Sequence, residues 1–364
     1  MARHILHAPP HLFAWCERVK AFLDGRKDLP GMVGFASSGS SGNPPKMILF
    51  TPDALQASAR GAVEHLSAWR GDWCCPLPLY HVGGSMIGWR AREAGARVHE
   101  LSGKWDAVRY ADLVRQTGSA WSSLVPAQVV DLVRQGIEAP ACLRGIVVGG
   151  GSLERETGRM ARRLGWPVVQ SYGMTEAASQ IATALPGDEF GDEWLPVLPH
   201  WNLRVEEDGL LALNGPALFS GIVTEDGDGV FSLSGNEPGA WWRSKDLVEL
   251  KGGRLRFIRR VDRQVKILGE LVDIDAVEHA LRAVAPDSCV ETVPDERAGL
   301  ALVLCGPQEA IMRQAAQMWN ASVPGYQRVR FLSCGELPRN EMGKLGRARL
   351  RESLSNGARQ KTPI

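Results

Sequence analysis

Short apolar runs alternate with helical stripes through the first half of the chain. Phe13, Cys16, Val19 and Phe22 fall at helical spacing, so residues 1 to about 30 read as a helical lead-in. Met32, Val33 and Phe35 precede a polar stretch, and Lys46 to Phe50 follow it as a strand. Thr51-Pro52 then supplies an N-cap and a first-turn proline, and Leu55, Ala59, Ala62, Val63 and Leu66 form the stripe of the helix behind them. The alternation continues. Strands are expected over 73–79, 97–101, 120–125, 143–148 and 168–171, and helices over 85–93, 106–116, 126–135 and from Ser152 to near Gly165.

This rhythm predicts an α/β fold with a mainly parallel sheet, whose ligand lies beyond the carboxyl ends of the strands. Three segments fall there: Tyr80 to Gly84, Gly149 to Ser152, and Tyr172 to Glu176. After about residue 185 the helical stripes vanish. Leu203–Glu206 and Leu210–Leu213, joined by Glu207-Asp208-Gly209, predict an antiparallel β subdomain, as does a second pair around Lys251-Gly252-Gly253. From Asp262 onward the pattern is mixed. Ile274, Val277, Leu281 and Val284 mark one helix, Ile311, Ala315 and Trp319 another, and 289–293 and 300–304 read as strands. The expected organisation is a large domain over 1–261, β-rich from about 186, and a small mobile α+β domain over 262–364 with frayed last residues.

Composition narrows the function. With 364 residues, 44% hydrophobic and 23% charged, the chain has the make-up of a globular protein with more than one core. A net charge of +1 offers no basic field for nucleic acid. The run Leu300 to Cys305 is too short to be an integral membrane segment, and the N-terminal residues lack the apolar core of a signal peptide. The seven cysteines form no C-x-x-C, so reduced thiols in a cytoplasm are expected. No cysteine or histidine cluster has zinc-ligand spacing.

The polar stretch carries the first candidate chemistry. Ser37, Ser38, Gly39, Ser40, Ser41 and Gly42 are followed by Lys46, a set of hydroxyls, open backbone N–H groups and one cation that suits phosphate. No G-x-x-x-x-G-K-[ST] passes through it, which excludes a P-loop kinase or NTPase. A flexible Ser/Gly surface loop is the alternative reading.

Further motifs follow in order: Pro-Leu-Tyr-His-Val at 78–82, Tyr-Gly-Met-Thr-Glu at 172–176, Asp246, Arg-x-Asp-x-x-x-Lys at 260–266, and Pro-Arg-Asn-x-x-Gly-Lys at 338–344. Together they resemble the adenylate-forming superfamily of acyl-CoA synthetases, adenylation domains and luciferases, over about residues 33 to 350. PLYHVGG at 78–84 and SLVPAQVVDLV at 123–133 are most similar to the o-succinylbenzoate–CoA ligase branch, which serves menaquinone biosynthesis.

The resemblance implies an ATP-dependent acid–thiol ligase that uses Mg2+ and coenzyme A on a small carboxylic acid. Alternatives are a ligase for another aryl or medium-chain acid and a nucleotide-binding homologue without catalysis. It implies that the Ser37–Gly42 loop and Lys46 hold phosphates. Thr175 binds the α-phosphate, Glu176 holds Mg2+, and Tyr172, within Ser171, Tyr172, Gly173 and Met174, stacks on adenine. Asp246 and Arg260 hold the ribose, and Lys344 is the catalytic cation of adenylation. Asp262 would be a hinge that exchanges Lys344 for the segment holding Lys266 and Gly269. His81, Ser123, Gly149, Gly150, Gly151 and Ser171 would line the acyl and nucleotide pockets.

Three departures stand out. Only about 35 residues precede the loop where the family usually has over a hundred, and a homodimer would cover the surface this leaves. Gly42-Asn43-Pro44-Pro45-Lys46 is one residue longer than the family's Gly-x-Pro-Lys. Ser244-Lys245-Asp246 replaces Thr-Gly-Asp.

Overall fold

The structure, a computed structural model, describes residues 4–26, 29, 31–37, 45–339 and 345–364. In chain order it begins with β1 (Ile5–His7), α1 (Phe13–Asp24), β2 (Val33–Ser37), β3 (Lys46–Phe50), α2 (Pro52–Leu66), β4 (Trp73–Cys75) and α3 (Val82–Glu93). Next are β5 (Val98–Glu100), α4 (Ala107–Thr117), β6 (Trp121–Leu124), α5 (Pro126–Arg134), β7 (Gly145–Val148), α6 (Arg155–Arg163), β8 (Val168–Met174) and β9 (Ser179–Thr183). Seven strands follow: β10 (Trp194–Pro196), β11 (Asn202–Val205), β12 (Leu210–Asn214), β13 (Gly221–Glu225), β14 (Phe231–Gly235), β15 (Trp242–Lys251) and β16 (Arg254–Arg260). The remainder comprises β17 (Gln264–Ile267), β18 (Glu270–Asp273), α7 (Ile274–Arg282), β19 (Cys289–Asp295), β20 (Gly299–Gly306), α8 (Glu309–Ser322), β21 (Val329–Cys334), α9 (Arg347–Ser355) and β22 (Thr362–Pro363).

The helices start where the local chemistry sets them. The Thr51 hydroxyl accepts from the Ala54 N–H at 3.2 Å, and Pro52 occupies the first helical position of α2. Asp106 caps α4 through the Arg109 N–H, and Gln128 reaches back to the Val125 N–H at the start of α5. The parallel sheet runs β5-β4-β6-β7-β8, with β9 antiparallel at its edge. One face is covered by α2, α3 and the β-rich region, around Trp73, Leu55, Met86 and Ile181. The other is covered by α4, α5 and α6, around Tyr110, Val129, Trp166 and Phe190.

The hairpin that flanks the Ser/Gly stretch belongs to a different sheet, ordered β1-β2-β3-β13-β14. Its outer face packs on α1 through Val19, Leu23, Met47 and Leu49. The lead-in is therefore not purely helical, because β1 pairs in parallel with β2. Three residues carry too little alternation to announce a strand. The sheet β10-β16-β15-β12-β11 is antiparallel, as its turn-rich sequence predicts. From β17 onward the apolar side chains gather in two clusters on either side of the sheet β19-β20-β21-β22, one with α7 and α8 and one with α9. The last residues are not frayed: Thr362 and Pro363 pair with Leu332 and Phe331, and the Ile364 N–H donates to the Arg330 carbonyl.

Candidate functional site

Parallel pairing brings four segments to one edge of the main sheet. The carboxyl ends of β4, β6, β7 and β8, adjacent in that order, carry His81, Ser123, Gly149 to Gly151, and Ser171 to Glu176. His81 is the N-cap residue of α3, with its ring 4.8 Å from that of Tyr80. The Gly149 N–H donates to the Leu124 carbonyl, tying β7 to β6, and Gly150 takes a left-handed φ of 77°. The Ser171 hydroxyl is 2.8 Å from that of Thr183.

Beyond Met174 the chain turns tightly through the 3-10 segment Thr175–Ala177 and returns as β9. Ala178 (φ 47°) and Ser179 (φ 99°) both lie in the left-handed region, which is costly for residues with a Cβ. Gly173 faces this turn so closely that a Cβ there would collide with the Ser179 carbonyl oxygen. Three bonds hold the turn: Ser58 Oγ donates to the Ala178 carbonyl at 2.8 Å, the Phe219 N–H to the Glu176 carbonyl at 3.0 Å, and Arg90 Nη2 to Ser179 Oγ at 3.1 Å. The side chains of Thr175 and Glu176 are half-buried, and among the described residues none hydrogen-bonds them. A hydroxyl and a carboxylate side by side form a donor set that fits Mg2+, which commonly takes one carboxylate and completes its shell with phosphate and water.

Next to this turn, the Tyr172 hydroxyl donates to Asp246 Oδ2 at 2.6 Å. Asp246 is the cross-strand partner of Arg260 in the β15–β16 ladder, and Arg260 Nη1 lies 3.3 Å from Asp246 Oδ1. The Asp246 side chain is 4% exposed. The Ser244 hydroxyl accepts from the Asp246 N–H at 3.1 Å within β15. Burial, then the Asp246 charge, pushes the Tyr172 phenol well above its ordinary value, so it stays a donor. Phe257 lies 5.5 Å from the Tyr172 ring, centroid to centroid. Tyr172, Asp246 and Arg260 are thus brought together as a half-buried hydroxyl, a buried carboxylate and a partly exposed guanidinium.

One residue of this site went unread in the sequence. Arg90 on α3 is 1% exposed, and among the described residues no carboxylate pairs with it. Its partners are hydroxyls, Ser123 Oγ at 3.4 Å and Ser179 Oγ at 3.1 Å, and its Nε has none. Burial lowers its pKa to about 10. The signal was available: Arg90 falls on the buried stripe Met86, Ile87, Arg90, Ala91 of α3. A cation on the apolar face of a helix calls for an anion, and among the described residues none lies within salt-bridge distance of this one.

The other candidates divide. Ser37 and Lys46 face each other as the last and first residues of β2 and β3, on the same side of that sheet as Phe35 and Ile48. Ser38, Gly39, Ser40, Ser41 and Gly42 lie outside the described residues, as does Lys344. Lys266 is exposed on β17. Leu268 and Gly269, both with positive φ, make the two-residue turn into β18, so Gly269 serves a tight turn and a Cβ there would meet no atom within 4 Å. No helix among the described residues is long and apolar enough to cross a membrane, and no cluster of three or more His, Cys, Asp or Glu forms a metal site of its own.

Residues 35–211 match the AMP-binding enzyme family. A 2-succinylbenzoate–CoA ligase of Listeria innocua is 26% identical over 334 residues, which is 88% of this chain and 69% of that protein. The fold is shared with E. coli MenE carrying bound OSB-AMS, at a TM-score of 0.72 and 24% identity over 89% of this chain and 69% of the other. It is also shared with the o-succinylbenzoate coenzyme A synthetase MenE of Bacillus subtilis in complex with ATP and magnesium, at 0.70 and 23% over 87% and 69%.

Proposed function

Because the chain belongs to the AMP-binding enzyme family, we propose that it is an ATP-dependent ligase that joins 2-succinylbenzoate to coenzyme A. In the first half-reaction a substrate carboxylate oxygen attacks the α-phosphorus of ATP, and the bond to the bridging oxygen breaks to release pyrophosphate. In the second, the coenzyme A sulfur attacks the acyl carbon, AMP leaves, and the thiol proton passes to solvent.

Each residue has a part. The Ser37–Gly42 loop and Lys46 bind the outgoing phosphates. Thr175 and Glu176 face the α-phosphate and the Mg2+, which would screen the phosphate charge. Asp246 accepts from the ribose hydroxyls, with Tyr172 and Arg260 fixing its orientation. Lys344 neutralises charge at the α-phosphate. Residues 262–364 then turn about Asp262, withdrawing Lys344 and presenting the Lys266–Gly269 hairpin. All seven cysteines are free, which suits a reducing cytoplasm.

The observation that carries the substrate class is the buried Arg90. A monoacid would spend its only carboxylate on the α-phosphorus and leave this guanidinium without an anion. A dicarboxylic acid supplies both. Pyrophosphate exchange should therefore proceed with 2-succinylbenzoate and fail with acids lacking the second carboxylate. Exchange with a medium-chain fatty acid instead would remove the dicarboxylate reading. Absence of exchange with every acid would point to nucleotide binding without catalysis.

A further inference from the structure

The turn Thr175–Ser179 is held in a conformation its residues do not favour, so something must over-determine it. Ala178 and Ser179 carry a Cβ yet adopt φ of 47° and 99°. The contact that meets the Ala178 carbonyl is the Ser58 hydroxyl at 2.8 Å. Ser58 is fully buried and is the one hydroxyl among the buried residues of α2, which are otherwise Ala54, Leu55, Ala59, Gly61, Ala62, Val63 and Leu66. A serine inside a helix commonly bonds back to its own preceding turn. This one donates instead across to a residue 120 positions away.

The direction of that bond matters. α2 leaves β3 directly through Thr51-Pro52, and β3 begins at Lys46. Ser58 therefore joins the hairpin of the Ser/Gly stretch to the turn that carries Thr175 and Glu176. A second strap runs alongside it: the Phe219 N–H donates to the Glu176 carbonyl, and the neighbouring Ser220 N–H to the Leu49 carbonyl at 2.8 Å. We propose that Ser58 is a positioning residue that sets the Thr175 hydroxyl and the Glu176 carboxylate relative to the phosphate hairpin. The inference rests on the ligase reading above. Without the hydroxyl, the Ala178 carbonyl loses its buried donor and the left-handed pair relaxes, moving the two groups that face the triphosphate. The acid side of the site feels the change only through the bond from Arg90 to Ser179, while its bond to Ser123 stays in place.

The test is pyrophosphate exchange with Ser58→Ala and Ser58→Cys, together with calorimetric titration of MgATP in the absence of acid. Ser58→Ala should raise the KM for MgATP and weaken MgATP binding about tenfold, the scale of one buried hydrogen bond, while the KM for the acid rises less. Ser58→Cys, a weaker donor, should fall between. Should Ser58→Ala fail to fold, Ala178→Gly removes the left-handed strain without touching Ser58. In that background Ser58→Ala should fold and bind MgATP more weakly than Ala178→Gly alone. Equal rises in both KM values, or unchanged MgATP binding in a folded variant, would overturn the role of Ser58. A parent protein that exchanges with no acid would defeat the ligase reading instead, and calorimetry would still report on Ser58.

Discussion

Replacing Arg90 with methionine separates stability from function. Arg90 is fully buried, and burial takes its pKa from 12.5 to about 10. At about 1.4 kcal/mol per unit, keeping the charge there costs the fold roughly 3 kcal/mol. Against this stand two hydrogen bonds to the Ser123 and Ser179 hydroxyls, worth about 1 kcal/mol each, the longer one less. The smaller side chain also leaves a space whose cost is on the order of 1 kcal/mol. The sum lies within about 1 kcal/mol of zero. Removing one partner of a buried ion pair would instead cost about 3–5 kcal/mol. Urea unfolding of parent and Arg90→Met protein should thus give nearly equal midpoints without ligand. Added 2-succinylbenzoate with a non-hydrolysable ATP analogue should separate them. Saturation at a hundredfold excess over Kd stabilises the parent by about 2.7 kcal/mol, and the variant should gain much less. A loss above about 3 kcal/mol in the unliganded variant, or equal stabilisation of both proteins by the acid, would refute the reasoning.

Other outcomes follow from the same structure. Both ring nitrogens of His200 are buried without a partner, and burial, then the charge of His65, lowers its pKa from 6.5 to about 4. The folded state favours the neutral ring, so this stability is present above pH 6.5 and is lost as pH falls toward 4, by up to about 3 kcal/mol. His200→Phe should flatten that part of a stability-against-pH curve measured by denaturant unfolding. Gly173→Ala places a Cβ against the Ser179 carbonyl and should cost more than about 3 kcal/mol, read as a lost or lowered thermal transition. Lys344→Ala should slow adenylation by about 100-fold or more while thioester formation from preformed acyl-adenylate continues. Equal loss in both steps would contradict an alternation about Asp262.

Local pattern carried much of the fold into view. Most strands and helices from 46 to 171 lie where apolar runs and cap residues put them, since each element buries one face against an adjacent layer; α6 differs, starting at Arg155 behind Glu154 and not at Ser152. Pairing over long distances did not show. Nothing near Lys46 to Phe50 signals that Gly221 to Thr224 will lie beside it, because a strand's sequence gives its face but not its partner. β1 and β22, with three and two residues, are too short for any period. At the site, Tyr172 to Glu176, Asp246 and Arg260 could be picked out by motif. The bond between the Tyr172 hydroxyl and Asp246 joins residues 74 apart and needs the assembled sheets. Arg90 was readable in principle, but with Arg92 and Glu93 beside it the segment passes for a solvated helix end.

The interleaving of β13 and β14 with β1 to β3 also governs the order in which the chain can be built. During synthesis β3 emerges with its second edge open, and its partner follows about 170 residues later. At about 5–20 residues per second, the hairpin waits roughly ten seconds or more for the strand that completes its sheet. Through that interval an apolar strand, Met47 to Phe50, offers unpaired backbone groups to any neighbouring chain. Nascent chains arrested before residue 221 should therefore aggregate more readily than those arrested after residue 235, where β13 has covered the open edge of β3.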